Sequence, residues 1–196
     1  MDYTCLTTTD IINWLRKNLN EERYIHSLAV ADTAKDFAKR FGIDEEKAYI
    51  AGLLHDCAKC FSTDKLKDYI DQGVEITPDE LPNYKTYHAP VSAYIAKTVF
   101  KVTDEEILSS IRWHTVGHTN MSLFEKIIFL ADKAEPKTRP AEYLEYILKD
   151  FEQEDGLNKA LLACYKATIK SLADRNLTIC TPTIDVYNEL LNSVEG

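Results

Sequence analysis

The sequence predicts an all-α fold built as a single helical bundle. Three observations carry that prediction. Apolar residues recur at helical spacing along the chain, convincing strand alternation is missing, and Ser/Thr-x-x-Glu boxes at Thr77 to Glu80, Thr103 to Glu106 and Ser122 to Glu125 mark helix starts. With 196 residues, 45% hydrophobic and 28% charged, the chain has the size and composition for one well-filled core.

Residues 10–19 read as a first helix. Residues 21–41 read as a second, with Leu28, Ala31, Ala34, Ala38 and Phe41 on one stripe and Gly42 as its stop. Asp44 caps a third, which runs through Glu45, Glu46 and the apolar residues 48–54 to His55. Ser62 or Thr63 opens a short polar helix that Gly73 closes. The box at Thr77, with Pro78 in its first turn, predicts another start. Pro90 suits the first turn of a helix reaching about Phe100, and the boxes at Thr103 and Ser122 open two more. The last of these contains Ile127-Ile-Phe-Leu-Ala131, a buried-looking run. Residues 142–149, 155–173 and 182–191 supply three further helices. Repeats and low-complexity tracts are absent from the sequence, so residues 1–196 read as one domain.

The net charge of −9 argues against broad nucleic-acid binding and against a polybasic membrane surface. It leaves room for a polyanionic substrate, because a metal and a few local cations reverse the field inside a pocket. No apolar run approaches a membrane span and the N-terminus lacks a secretory pattern, so the expected location is the cytoplasm. Five scattered cysteines argue against a disulfide framework. Cys57 and Cys60 form a Cys-x-x-Cys with no second pair and no preceding strand, and read as small buried thiols.

The chemistry gathers at polar residues set into or at the ends of apolar helices: His26, the doublet His55-Asp56, His88, His114 and Asp132. A buried carboxylate must be paired, protonated or coordinated, and a metal ion satisfies an imidazole and a carboxylate together. Helix bundles build such sites from side chains projecting inward from facing helices. Imidazole and carboxylate suit iron, manganese or zinc, and the lack of thiolate disfavours a structural zinc site. Each residue also has a plain reading. His26 alone reads as a core or surface histidine, His88 as a helix-end residue, His114 as a cation near a helix C-terminus, and Asp132 as the partner of a lysine. Six plain explanations in one ordered set are harder to sustain than one metal site.

The order and setting of these residues resemble the HD-domain metal-dependent phosphohydrolase superfamily over about Arg23 to Arg139. The stretches Arg23-Tyr-Ile-His-Ser, Leu-Leu-His55-Asp-Cys-Ala-Lys59, His88-Ala-Pro-Val-Ser-Ala and Arg-Trp-His114-Thr-Val-Gly carry the likeness. So does Met121-Ser-Leu-Phe-Glu-Lys-Ile-Ile-Phe-Leu-Ala-Asp132-Lys-Ala-Glu-Pro with Arg139 close behind. Together they resemble the YqeK family of bacterial symmetrical diadenosine-tetraphosphate hydrolases.

The resemblance implies a bundle of the HD-domain type, with a core over about residues 21–139 and C-terminal helices in residues 140–196 packed on it. It implies splitting of diadenosine tetraphosphate, a dinucleoside polyphosphate, into two ADP molecules. The implied cofactor is iron, one or two ions, with manganese, cobalt or zinc as substitutes. It places His26, His55, Asp56 and Asp132 as metal ligands. His88 and His114 are additional histidines that hold phosphate or a second metal, and Arg23, Lys59 and Arg139 are basic positions near the substrate. In chemical terms a metal lowers the pKa of water from ~15.7 towards ~7. Asp56 could then orient the attacking water, His88 or His114 could protonate the leaving oxygen, and Lys59 and Arg139 would stabilise charge.

Other readings remain at this level. Lys59 beside a turn could be solvated, and His118 reads as a solvated loop histidine. Tyr143 to Tyr146 and the face Leu157, Leu161, Leu162 and Tyr165 read as core rather than a nucleobase platform. The C-terminal third shows no chemistry of its own. A nucleotidase, a nucleoside triphosphate hydrolase, or a non-catalytic nucleotide- or RNA-binding module would share much of the pattern. Monomer and homodimer are both open.

Overall fold

The structure, a computed structural model, describes residues 3–195. Among the described residues the chain is helical throughout, with no strand. The helices are α1 (Thr8–Asn18), α2 (Glu21–Phe41), α3 (Glu45–Leu54), α4 (Thr63–Asp71), α5 (His88–Thr98), α6 (Glu105–Trp113), α7 (Leu123–Ala134), α8 (Ala141–Leu148), α9 (Gly156–Asp174) and α10 (Thr181–Glu195). A 3-10 turn, Tyr84–Thr86, precedes α5. None of these helices is long and apolar enough to cross a membrane.

Caps account for most boundaries. Asn20, Asp44 and Ser62 each accept a first-turn backbone N–H, opening α2, α3 and α4. Ser122 and Glu125 form the reciprocal box expected at the start of α7. Gly42 ends α2 with φ of 66°, a left-handed residue whose N–H meets the Ala38 and Lys39 carbonyls. Helix α1 starts two residues before the expected position, because Thr7 and Asp10 make a capping box that was not recognised in the sequence.

Two expected starts are corrected. The helix predicted from Thr77 does not form, and residues 78–82 are turns. Pro82 would fall inside that helix, where it removes a hydrogen bond and forces Leu81 out of helical backbone. Helix α6 is capped by Asp104 rather than Thr103, since the Asp104 carboxylate accepts from both Glu106 and Ile107 at 3.0 Å. Of the two cysteines read as buried thiols, Cys57 is buried but Cys60 is exposed. His118 is held by the Glu125 carboxylate at 2.9 Å rather than left solvated. Leu157, Leu161, Leu162 and Tyr165 are core residues, whereas Tyr146 is half exposed.

One apolar cluster joins α1, α2, α3, α5 and α6 with one face of α7, and includes Leu53, Leu54, Ile95, Ile111 and Ile128. A second packs α8, α9 and α10 on the opposite face of α7, through Ile127, Phe129, Leu130, Leu161 and Tyr165. Residues 127–132 of α7 are buried between the two clusters, and residues 50–54 of α3 are buried likewise. These two central helices deliver Asp132 and the His55-Asp56 doublet to the interior.

Helices α2 and α3 cross where Gly52 meets Ala31: a Cβ at Gly52 would lie 2.6 Å from Ala31 Cα and 2.9 Å from its N. Gly52→Ala should therefore force backbone apart and destabilise the protein by about 1–3 kcal/mol. Thermal unfolding of the variant checks this, and an unchanged midpoint would show that the crossing is not close-packed.

Candidate metal centre

Six side chains from five elements meet in the interior. His26 comes from the middle of α2, His55 and Asp56 from the end of α3, His88 from the start of α5, His114 from the end of α6 and Asp132 from the last turn of α7. All six are at most 5% exposed. The structure thus brings together every residue named as a metal ligand from the sequence, and both additional histidines.

The local fold decides which ring nitrogen faces inward. The Nδ1 of His55 lies 2.7 Å from the Gly52 carbonyl, that of His88 lies 2.8 Å from Lys85, and that of His114 lies 2.7 Å from Ile111. Each partner is the carbonyl three residues back, at the end of a helical turn where carbonyls lack intrahelical partners. A carbonyl only accepts, so a proton sits on Nδ1 and each ring turns its Nε2 into the site. His26, in mid-helix, has no free carbonyl of this kind. Its Nδ1 instead meets Glu135 Oε1 at 3.0 Å, which leaves its Nε2 facing Asp132 Oδ1 at 3.0 Å.

The interior is thereby crowded with lone pairs. Asp56 Oδ1 lies 3.2 Å from the Nε2 of His88 and 3.3 Å from that of His114, and the two Nε2 atoms are themselves 3.3 Å apart. His55 Nε2 stands 3.7 Å from both Asp56 Oδ2 and Asp132 Oδ1. Among the described residues, His55 Nε2 and Asp56 Oδ1 are buried without a hydrogen-bond partner. Such atoms are costly to bury unless a cation joins them. The ligand atoms of His26, His55 and Asp132 lie within 4.8 Å of one another, as do those of His55, Asp56 and His114. The donor set, the orphaned atoms and the spacing fit a divalent metal of the iron, manganese or zinc kind. Glu135 orients His26 from behind, as carboxylates do for metal-binding imidazoles.

Cations ring these carboxylates. Arg23 reaches Asp56 Oδ2 at 3.2 Å, Lys133 reaches Asp132 Oδ2 at 2.6 Å, and Arg139 reaches Asp132 Oδ1 at 3.0 Å and its carbonyl at 2.7 Å. Lys59 Nζ lies 3.0 Å from His88 Nε2. Burial opposes ionisation of Asp56 and Asp132, yet Lys59 near the first and Lys133 near the second hold both well below the usual carboxylate range. Burial pushes His55 down to about 3, and burial with Lys59 alongside pushes His88 down to about 4. Burial also lowers Lys59. Both histidines are therefore neutral and ready to act as ligands near pH 7.

A cleft of about 430 Å³ opens beside the cluster. Lys59, Thr115 and Lys133 line it nearest the metal ligands, with Thr115 Oγ1 3.3 Å from His88 Nε2 and 3.2 Å from His114 Nε2. Tyr84, Leu172 and Leu177 add apolar walls, and Lys85 and Arg175 add charge. Lys133, Glu135 and Thr115 escaped the sequence reading, although all three stand within three residues of a named site residue. The wall from residues 168–183 comes from the C-terminal third, which shapes the cleft without placing a side chain in the cluster. It had no signal in the sequence.

Residues 23–137 match the HD domain family. A Bacillus subtilis (strain 168) protein named "Bis(5'-nucleosyl)-tetraphosphatase, symmetrical" is 38% identical over 180 residues, which cover 91% of this chain and 94% of that protein. The protein of the same name from Halalkalibacterium halodurans is 37% identical over 182 residues, 90% of this chain and 93% of its own. The crystal structure of a Clostridium acetobutylicum protein described as a "predicted HD superfamily hydrolase involved in NAD metabolism" aligns with a TM-score of 0.88 at 38% identity, covering 96% of this chain and 98% of that one. The buried imidazole-carboxylate cluster and these likenesses agree: the chain belongs to the HD domain family, in the group of bacterial proteins named symmetrical bis(5'-nucleosyl)-tetraphosphatase.

Proposed function

We propose that this protein hydrolyses dinucleoside polyphosphates, splitting diadenosine tetraphosphate symmetrically into two ADP molecules, with iron as its metal. The observation that carries the reading is the convergence of four inward-facing imidazole Nε2 atoms and two carboxylates beside a cleft lined with cations. The names of relatives that match this chain over nearly their whole length support the choice of substrate. The five free cysteines suit a reducing cytoplasm. The C-terminal helices belong to the same working unit, since residues 168–183 form part of the cleft.

In this proposal His26, His55, Asp56 and Asp132 hold the metal, with Glu135 fixing the His26 ring. A bound ion would supply Lewis-acid charge and acidify water for attack at phosphorus. Asp56 would orient that water through Oδ1, the oxygen that faces His88 and His114. His88 and His114 sit where the phosphoryl oxygens pass, and Thr115 donates between them. Lys59 has its ammonium at the same point and supplies charge, or a proton, to the departing ADP oxygen. Arg23 and Arg139 present guanidinium forks to the phosphate chain, and Lys133 joins them from beside Asp132. Around the cluster, three carboxylates (Asp56, Asp132 and Glu135) face four cations (Arg23, Lys59, Lys133 and Arg139), so a divalent ion leaves the site clearly positive in an acidic chain.

Protein incubated with ferrous iron and diadenosine tetraphosphate should yield ADP as the sole nucleotide product by chromatography. ATP and AMP in equal amounts would mean asymmetric cleavage and refute the reading. Asp56→Ala should lose at least a hundredfold in turnover, on the order of a lost catalytic base or ligand, together with bound metal, while its helical circular dichroism stays intact. Full metal content with wild-type activity would remove Asp56 from the centre. The depressed histidines set a pH dependence in the chelator-treated protein. Unfolded histidines take up protons near pH ~6.5, whereas the folded protein delays protonation of His88 to about 4 and of His55 to about 3. The unfolded state therefore binds more protons below ~6.5, and stability falls as the pH drops from there towards 4. Urea midpoints measured between neutrality and pH 4 should decline steadily, and a flat series would show that these rings are not buried neutral.

A further inference from the structure

The motif at Thr77 to Glu80 makes no helix, yet Glu80 is 1% exposed and its carboxylate is fully engaged. Both oxygens accept from the Arg112 fork, at 3.1 and 2.6 Å, and Oε2 also accepts the Thr77 N–H at 2.8 Å. Arg112 lies on α6 two residues before His114, with its guanidinium over the Trp113 ring. Glu80 lies in the segment 77–87 that leads into His88, supplies the Lys85 carbonyl to the His88 ring, and forms the cleft wall through Pro82, Asn83, Tyr84 and Lys85. A buried ion pair is a weak source of net stability, because desolvation offsets its attraction. Its fork-on-fork geometry does fix direction and register.

We infer that the Glu80–Arg112 pair is a positioning device: it moors segment 77–87 to α6 and, through the Lys85 carbonyl, keeps the His88 Nε2 bare and facing Asp56 and His114. Its effect on turnover rests on the proposed dinucleoside polyphosphate hydrolysis. The other ties of the segment are weaker. They include the Cys180 thiol on the Asp79 carbonyl, at 3.7 Å, the Asn83 amide on the Cys180 sulfur, at 4.0 Å, and bonds within the segment from the Tyr87 and Thr86 hydroxyls to the Leu81 and Asn83 carbonyls. Among the described residues, only the ion pair fastens the middle of the segment to the helix that carries His114 with two charged hydrogen bonds.

The test uses Glu80→Gln, which keeps the shape but sets an amide N–H against the guanidinium, and Arg112→Lys, which keeps the charge but loses the fork. Ring ¹⁵N resonances are followed in the zinc-loaded full chain, and kcat and KM in the iron-loaded enzyme. In both variants the His88 resonances should shift and broaden while those of His26 and His55 stay in place and metal content is unchanged. Turnover should fall by on the order of ten- to a hundredfold in kcat, with a smaller rise in KM, as expected for misplacement of a reacting group. Wild-type His88 resonances and wild-type kcat in Arg112→Lys would overturn the inference. So would equal changes at all four buried histidines, the mark of a general loosening. If the wild-type enzyme leaves diadenosine tetraphosphate intact while His88 still responds selectively, the substrate reading fails and the mooring stands.

Discussion

The site depends on one local interaction, the hydrogen bond from a histidine Nδ1–H to the carbonyl three residues back at the end of a helical turn. It satisfies a carbonyl that the terminus would leave without a partner, and it fixes the tautomer that presents Nε2 to the interior. His55, His88 and His114 all use it, so three helix ends become three ligand-ready rings by the same device. His26 has no helix end to lean on, and Glu135, fully buried at the close of α7, takes the role of the carbonyl. The inward-facing Nε2 atoms then make the two aspartates tolerable only in the company of cations.

Those cations are local. The chain carries a net charge of −9, while the cluster is ringed by Arg23, Lys59, Lys133 and Arg139. Long-range charge therefore disfavours polyanions such as nucleic acid, whereas the pocket favours a short polyphosphate chain. The same placement keeps Asp56 and Asp132 ionised against the penalty of burial, which a ligand for a hard or borderline cation requires.

Packing determines which helices can bring carboxylates this deep. The C-terminal halves of α3 and α7 are buried, α7 between two separate apolar clusters, so Asp132 and the His55-Asp56 doublet enter the interior. The second cluster also seats α9 and α10, which places Leu172, Arg175 and Leu177 at the cleft. The C-terminal helices thus contribute by position, since none of the six residues of the cluster lies on them.

Much of this was legible in the residues alone. Helical periodicity and caps at Asn20, Asp44, Ser62 and Ser122 act within a few residues, so the sequence determined the all-α class and most helix starts. The ordered histidines and aspartates, set beside apolar runs, marked the cluster because burial of such groups demands a partner. The tertiary structure decided what depends on contacts between distant segments. The partner of Glu80 was such a case: a capping box and a buried ion pair look alike until Arg112 arrives from 32 residues away. So were Glu135 behind His26, at a separation of 109 residues, and the cleft wall from residues 168–183. Local chemistry names a site's ligands, but orientation and enclosure belong to packing, which no window of sequence contains.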